Sequence, residues 1–76
     1  MNDTDIKAKQ LTRVMLYVHE RGSINPMQAL NDLGIMRLAA RIKDLEKAGI
    51  IFEHNWVQDF NRFGEKVRYK EYRLAV

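Results

Sequence analysis

Four cations stand within eleven residues of this chain, at Arg37, Arg41, Lys43 and Lys47, and a second set, Arg62, Lys66, Arg68, Lys70 and Arg73, follows near its end. The two residue types treat an anion differently. A planar guanidinium forks to two acceptors at once, such as O6 and N7 of guanine, whereas the lysine ammonium is a flexible point charge better suited to phosphate. Other chemistry has little to build on. His19 and His54 are isolated, on a helix and a strand, with no cysteine, no close-spaced carboxylate pair at metal-ligand spacing and no glycine-rich phosphate loop in the chain. No metal, no cofactor and no catalytic centre are therefore expected.

The first set of cations needs a helix to display it. Ile35, Leu38, Ile42 and Leu45 recur at i, i+3, i+7 and i+10, which predicts a helix over about 36–48 with these four in the core. Its outward arc then carries Met36, Arg37, Ala40, Lys43, Asp44 and Lys47, with Arg41 on the boundary. Just before it, Asn25 is a helix cap and Pro26 suits the first helical position, so a second helix is predicted over 26–33. Ala29, Leu30 and Leu33 form its buried side, and Gly34 permits a left-handed turn into the next helix. Ala39 is small where the two helices are expected to approach closely.

The remaining elements follow from changes of period. A helix over about 4–21, capped by Asp3 or Thr4, has the apolar stripe Ile6, Leu11, Val14, Met15 and Val18, widened by Leu16 and Tyr17. Arg21-Gly22 ends it, and Ser23-Ile24 is an optional short strand. After Gly49 the pattern alternates, predicting strands over about 50–58 and 65–74 around a loop at Asp59–Gly64. Ile50, Phe52, His54 and Trp56 would share one face. The switch of parity between Tyr69 and Tyr72 predicts a bulge or a change of face. Three helices followed by a two-stranded hairpin make an α+β chain with the layout of a winged helix-turn-helix, one domain spanning 1–76.

That layout gives the cations a use. A helix-turn-helix holds its second helix out so that it enters the major groove of double-stranded DNA. Arg37 is the leading candidate to read guanine, one turn before Arg41. Ala40 leaves room for close approach, and Lys43 and Lys47 suit phosphates. Met36 lies on the same arc, and Asn25 and Gln28 at the start of the second helix are grouped with these candidate DNA contacts. In the wing, alternation places Lys66, Arg68 and Lys70 on one side, where they would follow a backbone or a minor groove together with Arg62 at the tip. Lys70 and Arg73 serve equally well to protect a strand edge from aggregation. Trp56 is expected to pin the hairpin to the helices, although aromatics among cations also stack the bases of single strands. Phe60 and Phe63 either fold under the loop or form a contact surface.

The charge distribution agrees with this placement. Residues 1–35 hold four cations and four anions, whereas residues 36–76 hold nine cations and six anions, so the whole net charge of +3 lies there. The longest strongly apolar run, Val14 to Val18, is far short of a membrane span. Met1 to Asp5 are polar and acidic, unlike a signal or transit peptide, so a soluble, cytoplasmic protein is expected.

Three segments carry a resemblance: Gly22-Ser23-Ile24-Asn25-Pro26, Leu33-Gly34-Ile35-Met36-Arg37-Leu38-Ala39-Ala40-Arg41-Ile42-Lys43-Asp44-Leu45, and Asn61-Arg62-Phe63-Gly64-Glu65-Lys66-Val67-Arg68-Tyr69. Over about Gln10 to Leu74 the chain resembles small winged helix-turn-helix proteins encoded mainly by tailed bacteriophages and prophages. The resemblance implies a winged helix, DNA binding and a phage regulatory role in the cytoplasm of a bacterial host, as a transcriptional regulator or recombination accessory protein. With no room for a ligand-sensing domain, no small-molecule ligand is expected, and a homodimer or a cooperative assembly on DNA is. The alternative is a protein-interaction module that inhibits a host enzyme through the third helix or the wing, because a fold does not fix a function.

Overall fold

A computed structural model describes residues 3–75. Met1, Asn2 and Val76, the extremes of the expected 1–76 span, lie outside the described residues. The order is α1 (Asp3–Arg21), β1 (Ser23–Ile24), α2 (Pro26–Leu33), α3 (Leu38–Lys47), β2 (Phe52–Phe60) and β3 (Lys66–Leu74). The three strands form one antiparallel sheet in the order β1-β3-β2. Three helices with a hairpin wing and a short first strand are the arrangement of a winged helix-turn-helix.

A single apolar cluster joins the helices to the base of the sheet. Val14, Tyr17 and Val18 of α1, Ile24 of β1, Ala29 of α2, and Ile35, Leu38, Ile42 and Leu45 around α3 close over Phe52 and Tyr72. The stripe expected on α1 is narrower than its sequence suggests. Val14 and Val18 are buried, whereas Ile6 and Leu16 are exposed. Two residues along a helix is a rotation of about 200°, so Leu16 faces away from Val14 and Val18. Leu30, one residue past buried Ala29, is likewise turned outward rather than buried.

The two helices of the central pair begin in opposite ways. Asn25 Oδ1 accepts from the Gln28 backbone N–H at 2.8 Å, and Gln28 Oε1 accepts from the Asn25 N–H at 3.0 Å. This reciprocal capping box satisfies two otherwise orphaned donors at the start of α2. At its end Gly34 turns into the left-handed region (φ 69°), and the next residue, Ile35, donates back to the Ala29 carbonyl at 2.9 Å. Gly34 accommodates that conformation without the steric cost a side chain would add. By contrast α3 starts at Leu38, not at the expected Met36, with Arg37 as its cap residue and no side-chain cap at all. Residues 35–37 are used up in crossing from the αL turn to the new helix axis.

Strand boundaries shift for local reasons as well. Ile50 donates to the Leu45 carbonyl at 3.1 Å and so still belongs to the end of α3, which delays β2 to Phe52. Asp59 and Phe60, expected in the loop, stay in the ladder. The register runs unbroken from Phe52↔Leu74 to Phe60↔Lys66. There is no bulge in it. The parity switch between Tyr69 and Tyr72 is simply a change of face.

Candidate nucleic-acid interface

Helix α3 offers three sides. Its core side is Leu38, Ile42 and Leu45. The side toward α1 carries a charge junction: Asp44 Oδ2 lies 3.4 Å from Lys7 Nζ and 3.3 Å from Arg41 Nε. Neither contact is aligned as a hydrogen bond, so the junction is held by charge alone. Arg41 also donates from Nη1 to Gln10 Oε1 at a long 3.5 Å. The boundary residue of the helical wheel is thus drawn toward α1 and half-buried, away from the outward arc. Among the described residues Arg37, Lys43 and Lys47 are exposed, with no ion-pair or hydrogen-bond partner for their side chains. Met36 beside them is 85% exposed, and Ala40 is half-buried between.

Arg37 occupies an unusual place. As the cap residue of α3 it stands where the first helical N–H groups have no side-chain acceptor. Those groups and the helix dipole favour an anion, and its guanidinium adds a fork of donors to the same spot. Asn25 and Gln28 are different: their side chains are engaged with the backbone of α2 in the capping box. Ala39 is exposed, so it is not the close-approach residue between α2 and α3 that its size suggested. It lines a shallow surface depression with Pro26, Met36 and Tyr72.

Toward the wing, one polar side-chain contact among the described residues ties α3 to the sheet. His54 Nε2 lies 2.8 Å from Glu46 Oε2, and the imidazole stands edge-on to the Tyr72 ring at 5.1 Å. Tyr72 is buried. Burial, with Glu46 nearby, raises its phenol pKa above the usual value of 10.

The unbroken register sorts the wing's charges by face. Phe52, His54, Trp56, Gln58 and Phe60 of β2 share a face with Lys66, Arg68, Lys70, Tyr72 and Leu74 of β3. Phe52 and Tyr72 mark it as the inner face, because both enter the core. Glu53, Asp59 and Glu71 all lie on the outer face, where Arg73 sits 3.7 Å from Glu71. Beyond the helices the inner face therefore bears three cations and no carboxylate. Trp56 does not pin the hairpin to the helices. It is 60% exposed, with the Arg68 guanidinium carbon 4.6 Å and Lys70 Nζ 5.4 Å from its ring centroid. Alternation showed that these residues share a side, but only the paired strands show that Glu53, Asp59 and Glu71, the carboxylates within the ladder, lie on the other one.

The tip is a closed turn. Asn61 Oδ1 accepts from the backbone N–H groups of Phe63 and Glu65, both at 3.0 Å, and its Nδ2 donates to Glu65 Oε1 at 3.0 Å. Gly64 takes the left-handed conformation (φ 78°) that closes it. Phe63 does not fold under the loop but stands in solvent, with the Arg62 guanidinium carbon 5.9 Å from its ring centroid.

Comparison with known protein families matches residues 9–76 to the winged helix-turn-helix domain. The chain belongs to this family. Winged helix-turn-helix domains are typically DNA-binding and non-enzymatic, so the family points to DNA as the partner. No curated protein and no solved structure matches the chain. Among the described residues no helix is long and apolar enough to cross a membrane, and no three His, Cys, Asp or Glu are grouped to hold a metal ion.

Proposed function

We propose that this winged helix-turn-helix domain binds double-stranded DNA with the start and outward arc of α3 in the major groove and the wing along the backbone or minor groove. The observation that carries the reading is Arg37: exposed, without a partner among the described residues, and set at the uncapped start of α3 beside Met36 and Ala40. Lys43 and Lys47 continue the arc and take phosphates. Arg41, held toward Asp44 and Gln10, positions α3 against α1 more than it reads bases. Arg62, Lys66 and Arg68 make the wing contacts. Asn25 and Gln28 contribute through the backbone they fix and through their remaining amide groups.

So short a reading head covers one half-site, and the protein acts as a homodimer or a cooperative row on DNA. The resemblance to phage and prophage proteins supports a role as a transcriptional regulator or recombination accessory protein in the cytoplasm of a bacterial host. A second reading, capture of a host protein, is favoured by Phe63, 77% exposed at the tip. A stoichiometric partner that survives nuclease treatment of host lysate, with no DNA retained, would displace the duplex reading.

The direct test is selection from a random duplex library followed by polarisation titrations. With four to six phosphates neutralised, log affinity falls against log salt with a slope of about −4 to −5. Arg37→Ala lowers the preference for the selected site by about 1–3 kcal/mol, whereas Lys66→Ala weakens all sequences alike. A slope near zero, or equal effects of the two substitutions, overturns the proposal.

A further inference from the structure

Duplex binding takes Lys66 and Arg68 from the inner face of the wing but leaves its two aromatic rings unused. Trp56 and Phe60 stand four residues apart on the same face of β2, which is about 13 Å along a strand. They are 60% and 64% exposed. Opposite them on β3 lie Lys70 (facing Trp56), Arg68 (facing Gln58) and Lys66 (facing Phe60). Arg68 and Lys70 lie near the Trp56 ring, yet Trp56 and Phe60 still leave more than half of their surface to water, a large apolar area beside a cluster of positive charge. The occupant must be anionic and must offer flat apolar surfaces.

From this arrangement we infer that the inner face of the wing is a binding site for an unpaired DNA strand, with bases stacked on Trp56 and Phe60 and phosphates carried by Lys66, Arg68 and Lys70. An intact duplex does not fit the aromatics, because each base already has its π-faces covered by its neighbours. A single strand presents those faces to any ring, which is why stacking platforms between cations serve single-strand binding without sequence preference. The spacing agrees. Alternate residues on one face are about 6.6 Å apart, on the order of the step between successive phosphates of one strand, so Lys66, Arg68 and Lys70 can each meet a phosphate, and the two rings are what select an unpaired strand. Gln58, between the two rings, brings an amide to the edge of a base. The face is also continuous with α3 through the contact between His54 and Glu46. A molecule holding duplex on α3 would present this surface to a strand leaving that duplex.

Trp56 is the chain's single tryptophan, so its emission reports on this site alone. Titration of the whole protein with a short oligothymidylate, which has no duplex to offer α3, is expected to quench that emission to saturation. By polarisation of a labelled oligothymidylate, Trp56→Ala and Phe60→Ala should each weaken binding about tenfold or more, and Trp56→Phe should retain most of it. Circular dichroism of each variant, expected to match that of the parent chain, checks that lost binding is not lost folding. Unquenched emission, or an affinity unchanged by Trp56→Ala, overturns the inference. So does an emission change that follows protein concentration without DNA, because the face is then covered by a second copy. Arg37→Ala leaves oligothymidylate binding intact while impairing duplex selection, so failure of the single-strand site and failure of the duplex reading are separately visible.

Discussion

The two ends of the sheet's inner face are built from the same strands, in one register, with one alternation, and they meet opposite fates. At the base, Phe52 and Tyr72 are sealed beneath the helices. Four residues further along β2, Trp56 points to the same side and stands in solvent with two cations over its ring. The strand pattern decides which side a residue faces. Whether anything waits on that side depends on how far the helices reach, and they end near His54 and its contact with Glu46. Burial makes the near end a core and its absence makes the far end a surface, although the residue types hardly differ.

The sharpest way to break this contrast is to truncate one aromatic at each end. Phe52→Ala empties a buried site and should cost about 3–5 kcal/mol in denaturant unfolding, much of the stability of so small a domain. A cost below about 1 kcal/mol would mean that the base is no better sealed than the tip. A smaller effect concerns Tyr72. Burial and Glu46 raise its phenol pKa, and the Asp32 hydrogen bond with burial raises that of Tyr17. Both groups favour the protonated form in the fold, so their contribution is complete below pH 10 and is lost as pH rises through the folded pKa values. Thermal melts from neutral to strongly alkaline pH should show that loss, and Tyr72→Phe should remove its share of it. The least effect is expected of Trp56→Ala, which forfeits only exposed cation–π contacts and should cost less than about 1 kcal/mol. A loss as large as that of Phe52→Ala would place the ring in the core after all.

Much of the fold is legible in the sequence because local rules and global packing agree. Asn25 and Pro26 announce the start of α2, Gly34 its end, and the spacing of Leu38, Ile42 and Leu45 the buried side of α3. Where sequence reasoning stops, the missing information is always about a neighbour. A helical wheel leaves Arg41 on a boundary, and only the presence of Gln10 and Asp44 decides which way it leans. Ala39 is small for no helix at all. Trp56 looks like a core residue until the distance it stands beyond the helices is known. The outward position of Arg37, Lys43 and Lys47 is readable because it needs no neighbour.

The turn at the wing tip has a bearing on speed and entropy. Loops that grip DNA commonly wait disordered and fold onto it, giving up freedom at the moment of contact. Here one asparagine has done that work beforehand: Asn61 fixes the backbone at Phe63 and Glu65 through its own side chain. Arg62 and Phe63 are thus carried on a stiff prong rather than a whip. Such a prong gives up little disorder on docking, and it cannot remould itself to a partner of the wrong shape.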